Sequence, residues 1–241
     1  MNKNVKHFWK FKTVLNEAET ATENVLVLNG PIADESWWGD EVTPQMFKSE
    51  LENISGDLTV WLNSPGGDVF AASEIYTALK EHNGKITVKI DSLAASAASV
   101  IAMAGDMVYM SPVSMLMCHN PSMMLYGEVS DLEQGIDFLN EVKESIINAY
   151  QNKTGLSRAK ISKIMDFETW MNAKSALDMG FCDKILYSEN ESDTPIEDFV
   201  FDKTAMVTNT VAAMHKKLKK IPDAPEGTQI SQYETRLNLL K

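Results

Sequence analysis

The sequence predicts an α/β fold, and three patterns support this prediction. Short apolar runs at 25–28 and 58–62 have the length and composition of buried strands. The segment 68–84 then has apolar residues at helical spacing and leads into a further strand at 85–90. This strand–helix–strand order favours parallel pairing with a right-handed crossover. The third pattern is one long amphipathic helix at 128–150.

The remaining elements follow from local signals along the chain. Residues 5–15 alternate partly and predict an edge strand. Thr43 is a favourable N-cap with Pro44 at the first position of the next helix. Two more strands are expected near 107–110 and 114–118. After the long helix we expect a helix at 157–165, a short Asn172-capped helix that Trp170 begins and Gly180 ends, and a last strand at 181–187.

Composition and charge exclude several classes of function. The chain has 241 residues, 44% of them hydrophobic, which is enough for a substantial core. A formal net charge of −12 argues against binding a phosphate backbone, so we expect no nucleic-acid partner. Without a membrane-length apolar run or a signal sequence, we expect a cytoplasmic protein with no membrane contact. Cys118 and Cys182 lie in apolar surroundings and are expected to be reduced.

The composition divides the chain into three parts. Residues 1–23 form an N-terminal edge segment, and residues 24–187 form the main domain. Residues 188–241 begin with an acidic stretch that is poor in core residues. Such a segment buries too little apolar surface to offset the entropy of ordering, so we expect a linker and a flexible tail.

Ser96 is the candidate nucleophile, because it lies where an apolar strand gives way to a helix of small residues. At a helix N-terminus the helix dipole favours developing negative charge. Upstream, the loop Asn63-Ser-Pro-Gly-Gly67 is rich in backbone N–H groups. We predict that Gly66 or Gly67 supplies one oxyanion donor and that the Ala97 amide supplies the other.

His119 is the candidate general base, because it ends an apolar strand just before Asn120 and Pro121. The other three histidines lie in terminal segments or at the end of an exposed helix. A catalytic triad also needs a carboxylate that orients the imidazole, and both Asp166 and Glu168 qualify. Each motif alone also has a purely structural explanation, so the prediction depends on their combination.

Taken together, these motifs resemble the Clp protease proteolytic subunit family (peptidase S14-like) over about residues 24–187. The family pattern runs Asn-Ser-Pro-Gly-Gly, then Ala-Ala-Ser, then His-x-Pro, then acid-x-aromatic-x-x-Ala. The corresponding segments here, in the same order, are Asn63-Ser-Pro-Gly-Gly67, Ala94-Ala-Ser96, His119-Asn-Pro121 and Glu168-Thr-Trp-Met-Asn-Ala173.

The resemblance implies a Clp/crotonase-type fold of stacked β-β-α units, with the helix at 128–150 as a protruding handle between rings. It implies a serine endopeptidase with Ser96 as nucleophile, His119 as base and Glu168 as orienting acid. No cofactor or metal is expected, and the partners are a polypeptide substrate and further copies of the chain in a ring. The family usually has Asp at the acid position, so Asp166 stays open as an alternative.

Two tryptophan-containing segments resemble the phage-encoded branch of this family, which includes prohead proteases. They are Trp37-Trp-Gly-Asp-Glu-Val-Thr-Pro44 and Glu168-Thr-Trp170. This resemblance implies capsid maturation, in which scaffold or capsid precursors are cleaved without ATP inside the assembling phage head in the host cytoplasm. The tail 188–241 would then contact the scaffold.

Three other functions stay open. One is an ATPase-fed housekeeping protease of the same family, which would bind an unfoldase. Another is a non-catalytic assembly protein that keeps the fold and uses its tail for binding. The third is a crotonase-like acyl-CoA enzyme, against which the pairing of Ser96 with His119 argues.

Overall fold

The computed structural model of the chain describes residues 8–15, 22–32 and 44–188. The chain divides into two units, Met1–Asn190 and Glu191–Lys241, and every described residue lies in the first unit. The Trp37-Trp38 segment and the tail lie outside the described residues, and the three-part division of the chain stays a prediction. None of the described helices is long and apolar enough to cross a membrane.

The described part has the predicted mixed α/β architecture, with eight strands in one sheet. The strands are β1 (Trp9–Leu15), β2 (Thr22–Asn29), β3 (Leu58–Ser64), β4 (Ile86–Ala95), β5 (Met107–Met110), β6 (Met115–Cys118), β7 (Thr169–Asn172) and β8 (Lys184–Ile185). The helices are α1 (Pro44–Leu51), α2 (Val69–Glu81), α3 (Ala97–Ala102), α4 (Val129–Thr154), α5 (Arg158–Asp166) and α6 (Ala173–Asp178).

The sheet follows the order β1-β2-β3-β4-β5-β8. As expected, β1 is an edge strand; it pairs antiparallel with β2, whereas the other neighbours in this order pair in parallel. β4 is long enough to pair with β5 through its first half and with β6 through its last three residues. β6 also pairs antiparallel with β7. The carboxyl ends of β4 and β6 therefore lie side by side, next to the start of β7.

The helix that follows the glycine loop begins and packs as its sequence predicts. The Asp68 carboxylate accepts the backbone N–H groups of Phe70 and Ala71, both at 2.8 Å, and so caps α2. Ile75 and Leu79 of this helix are buried in the core. The capped start of α2 thus fixes the chain immediately after the glycine loop.

The two halves of α4 differ in burial. Leu132 and Ile136 in the first half are exposed, whereas Val142, Ile146 and Tyr150 in the second half are buried. The apolar face that the sequence predicts therefore packs on the core only through its C-terminal half. The N-terminal half leaves an apolar surface open to solvent.

The end of the domain differs from the sequence prediction in two elements. The sequence predicts a helix that begins at Trp170, whereas Thr169–Asn172 is a strand and the helix begins one residue after Asn172. Asn172 is the N-cap, as expected, and accepts the Ser175 N–H at 2.8 Å. The last strand is only Lys184–Ile185 rather than 181–187. Both short strands form by pairing with strands far away in the sequence, and the spacing of apolar residues within a segment cannot reveal such pairing.

The two cysteines are free and buried, as expected. Burial raises the pKa of Cys118 to about 12, so this thiol stays protonated at neutral pH. Although Cys118 directly precedes His119, it is therefore not an activated nucleophile.

Candidate active site

Ser96 lies between β4 and α3 in a backbone conformation that residues with side chains rarely adopt. Its φ is 56° and its ψ is −127°. Such conformations cost about 1–3 kcal/mol and cluster at functional sites. The Ser96 N–H donates to the Met117 carbonyl at 2.9 Å, which fixes this residue against β6. Its hydroxyl does not cap α3 and has another partner.

That partner is His119, whose Nε2 lies 2.6 Å from Ser96 Oγ. The two residues are 23 positions apart in sequence, and the sheet brings them together. β4 and β6 run parallel with Ala95 opposite Met117, so the residues just beyond the strand ends are neighbours. A base must accept the serine proton, so the competent tautomer of His119 carries its own proton on Nδ1.

Two environmental effects act on the pKa of His119 in opposite directions. Burial lowers the pKa below the ordinary value of 6.5, and the negative charge of Glu168 opposes this shift. Burial is the larger effect because the imidazolium is poorly solvated there. His119 is therefore neutral at neutral pH, which is the protonation state of a general base.

Glu168 reaches the neighbourhood of His119 through the pairing of β6 with β7. The antiparallel register places Cys118 opposite Thr169, so His119 and Glu168 form the next pair beyond the ladder. Glu168 has a φ of 45°, and its Oε1 accepts the Trp170 indole N–H at 3.3 Å. Between the described residues His119 and Glu168, the structure shows an electrostatic interaction and no hydrogen bond.

The alternative acid, Asp166, has other partners. Its carboxylate lies 2.6 Å from Lys143 Nζ and accepts Asn120 Nδ2 at 3.0 Å. The hydrogen bonds from Lys143 and from Asn120 lower the pKa of Asp166. Because Asn120 follows His119, Asp166 anchors the segment that carries the base. The geometry favours Glu168 as the orienting acid, and this choice stays a prediction.

The glycine loop lies directly against the nucleophile. A Cβ atom on Gly66 would stand 2.6 Å from the Ala95 carbonyl oxygen, 2.7 Å from Ser96 Cβ and 3.0 Å from Ala97 N. Gly66 also has a φ of 93°, so glycine is required on both counts. The structure thus brings the loop next to Ala97 N, which begins α3 and has no partner within the helix.

The two glycines of this loop differ in their hydrogen bonds. Gly66 N–H donates to Ser64 Oγ at 3.1 Å. The Gly66 carbonyl and the Asp68 N–H both bond to the backbone of Ile32. These two bonds flank Gly67 and leave its N–H directed away from Ile32. This arrangement favours Gly67 as the oxyanion donor and Gly66 as the point of close approach, and the assignment stays a prediction.

Sequence reasoning missed several side chains that support the site. Ser64 and Asn120 stand inside the quoted motifs, but the sequence gives no sign of the bonds they make. Trp170, whose indole holds Glu168, is an aromatic position of the fourth motif and was expected in a helix. In the part of the chain that the structure describes, no cluster of His, Cys, Asp and Glu is arranged to hold a metal ion.

The chain is similar to known proteins over most of its length. The sequence model of the Clp protease family matches residues 12–189. Over 165 residues the chain is 32% identical to ATP-dependent Clp protease proteolytic subunit 1 of Chlamydia abortus. It is 30% identical to the protein of the same name from Chlamydia trachomatis. Both alignments cover 67% of this chain and 85% of the relative.

A serine hydroxyl hydrogen-bonded to a histidine ring nitrogen is one part of the catalytic arrangement of serine hydrolases. With the matched family model and these relatives, the chain belongs to the Clp protease family. Members of this family are serine peptidases that form oligomeric rings and act on polypeptides.

Proposed function

We propose that this protein is a serine endopeptidase in which Ser96 attacks the scissile carbonyl of a polypeptide. His119 Nε2 accepts the serine proton and later returns it to the leaving amine. The N–H groups of Gly67 and Ala97 stabilise the oxyanion that forms on the carbonyl oxygen. Water then hydrolyses the acyl-enzyme through the same groups. The observation that supports this most directly is the 2.6 Å contact between Ser96 Oγ and His119 Nε2.

In this mechanism Glu168 acts on His119 through its charge. Burial disfavours the imidazolium that forms when His119 takes the serine proton, and the nearby carboxylate stabilises it. The Trp170 indole, 3.3 Å from Glu168 Oε1, keeps the carboxylate in place.

A serine-reactive fluorophosphonate probe tests the proposal. The wild-type protein should be labelled on Ser96, and Ser96→Ala should lose both labelling and peptide hydrolysis while its circular dichroism stays unchanged. Ser92→Ala is the matched control, because Ser92 is an exposed serine on β4, four residues before Ser96. Labelling that survives Ser96→Ala, or that maps to Ser92 or Ser99, contradicts the assignment. A wild-type protein that is not labelled would support a non-catalytic assembly role, and binding of CoA would support an acyl-CoA enzyme.

The names of the relatives favour a substrate that an ATPase delivers to the protease, because both relatives are proteolytic subunits of an ATP-dependent protease. We propose that rings of this chain receive unfolded polypeptides from such a partner in the cytoplasm. The expected result is that degradation of a folded protein requires the ATPase and ATP, whereas hydrolysis of a small peptide requires neither. Degradation of the folded protein without ATP would refute this reading.

Cleavage of phage head precursors is the second candidate. It is favoured by the resemblance of the segments 37–44 and 168–170 to the phage branch of the family. In this proposal the enzyme acts without ATP and residues 188–241 contact the scaffold. Mass spectrometry after co-expression with phage capsid and scaffold precursors distinguishes the two candidates. Precursor cleavage that Ser96→Ala abolishes supports the phage reading, and uncleaved precursor in the wild-type sample excludes it.

A further inference from the structure

A buried hydrogen-bond network lies behind the nucleophile. Ser99 Oγ is 2.6 Å from the Ser96 carbonyl oxygen and 2.7 Å from the Tyr150 hydroxyl. Cys118 Sγ lies 3.9 Å from the same Ser99 oxygen. Ser99 and Cys118 are fully buried and Tyr150 is 1% exposed, so bulk water does not compete for these bonds.

The chemistry of the partners fixes which group donates in each bond. A carbonyl oxygen only accepts, so Ser99 gives its single hydroxyl proton to Ser96. Tyr150 must then donate to Ser99, and so must the Cys118 thiol. Burial raises the pKa of Tyr150 and that of Cys118, so both groups keep their protons. The donors therefore run from Tyr150 through Ser99 to the Ser96 carbonyl.

This carbonyl belongs to the same peptide unit as the Ala97 N–H. A trans peptide is planar, and its C=O and N–H point in opposite directions. The Ser99 backbone N–H also donates to this carbonyl, at 2.9 Å. The hydroxyl bond adds to this restraint: by holding the Ser96 carbonyl toward Ser99, it holds the Ala97 N–H toward the other side, where it can face an oxyanion. The same bond restrains ψ of Ser96, whose unfavourable φ of 56° persists only where the surroundings determine it.

We propose that Ser99 and Tyr150 are positioning residues that hold the Ser96–Ala97 peptide in its catalytic orientation. This inference rests on the proposed function, because the orientation of the peptide matters only if Ser96 is acylated. The Tyr150 ring packs edge-on against Phe181, with the ring centroids 5.5 Å apart, so its hydroxyl is held by the core. Both side chains are buried beneath the peptide unit, out of reach of a substrate.

Two single variants and their combination test the proposal. Ser99→Ala removes the hydroxyl that donates to Ser96, and Tyr150→Phe removes only the phenolic oxygen. The loss of one such bond corresponds to about a twofold to twelvefold change in rate. We expect kcat to fall about tenfold in Ser99→Ala and about threefold in Tyr150→Phe, with KM unchanged. In the Ser99→Ala background, Tyr150→Phe should cause no further fall, because Tyr150 acts through Ser99.

Ser114→Ala is the matched control. Ser114 is also buried, and its Oγ donates at 2.8 Å to the carbonyl of Ser111, three residues earlier, as Ser99 does to Ser96. This variant should keep the wild-type kcat. The rate of fluorophosphonate acylation should fall in the same proportion as kcat, because the phosphonyl oxygen occupies the oxyanion position. The midpoint of the acid limb of the pH profile should not move, because no contact of His119 changes.

The outcomes separate this inference from the proposed function. A wild-type protein that the probe does not label refutes the peptidase proposal itself. A labelled wild type, with Ser99→Ala and Tyr150→Phe as fast as Ser114→Ala, overturns only the positioning role. Independent losses that multiply in the double variant also overturn it. If Ser99→Ala does not fold, Tyr150→Phe decides: slower acylation at unchanged KM supports the role, and a wild-type rate overturns it.

Discussion

Gly66→Ala tests whether the close approach of the glycine loop sets the position of the nucleophile. The added Cβ would stand 2.6 Å from the Ala95 carbonyl oxygen, which is about 0.8 Å short of an ordinary 3.4 Å contact. It would also stand 2.7 Å from Ser96 Cβ. Neither atom can rotate away, because one belongs to the backbone and the other is attached to it. The loop and the nucleophile must therefore move apart.

A displacement of this size has a large kinetic effect. Misplacing a reacting group by about 1 Å can cost about a hundredfold in rate. Losing an oxyanion donor costs about a hundredfold to a thousandfold. We therefore expect kcat of Gly66→Ala to fall about a hundredfold. The φ of 93° is itself unfavourable for alanine, so the free energy of unfolding should also fall by about 1–2 kcal/mol.

Gly56→Ala separates the two effects. Gly56 has a φ of 83°, and no atom lies within 4 Å of a Cβ built on it. Its substitution has the unfavourable φ without the close contacts, so it should lower the melting temperature less than Gly66→Ala does and leave kcat within about twofold of wild type. The assay is kcat and KM on a fluorogenic peptide, well below both melting transitions. A wild-type kcat for Gly66→Ala, or an equal loss of kcat in Gly56→Ala, would refute the reasoning.

The remaining predictions concern the acid, the base, the exposed helix face and the tail. Glu168→Gln should slow peptide hydrolysis by about a hundredfold or more, and Asp166→Asn by about threefold or less; a larger loss at Asp166 would show that it is the orienting acid. In a plot of log kcat/KM against pH, the midpoint of the acid limb should lie below pH 6.5, because only neutral His119 accepts a proton. Glu168→Gln should move this midpoint lower still, because the charge that raises the pKa of His119 is gone. An upward shift would contradict this prediction. The same shift affects stability. Between the lowered pKa of folded His119 and the ordinary value of 6.5, the unfolded chain binds more protons than the folded chain, so the free energy of unfolding falls as pH falls through that window. Ile136→Asp, on the exposed half of α4, should reduce the mass of the assembly in light scattering without unfolding the domain, and an unchanged mass would show that this face makes no contact between rings. A chain that ends at Tyr187 should hydrolyse a small peptide at the full-length rate, and loss of that activity would mean that the tail belongs to the folded domain.

The sequence by itself predicted which residues carry the chemistry. The choice of Ser96 and His119 follows from the order of four short motifs, and each motif spans only a few residues. The caps at Asp68 and Asn172 are similarly local, because a capping side chain bonds to amides two or three residues away. The long α4 followed from its periodicity. These features were predictable because neighbours in the sequence are also neighbours in space.

Only the tertiary structure decided which partners the two acids have. Asp166 and Glu168 are two residues apart, yet one bonds to Lys143 and the other acts on His119. This difference arises because the pairing of β6 with β7 places Glu168 opposite His119, and a strand register is set by contacts across the sheet. The same pairing made a strand of Thr169–Asn172, which local propensity assigned to a helix.

The hydrogen bonds behind the nucleophile were likewise evident only from the tertiary structure. Ser99 and Tyr150 are 51 positions apart, and the sequence shows one as a small residue of a helix and the other as the end of an apolar face. Their bond depends on the packing of α4 on α3, because only that packing puts a phenol hydroxyl next to the serine behind Ser96. Local sequence fixes which groups are present, whereas the distances between groups far apart in the chain depend on how the elements pack.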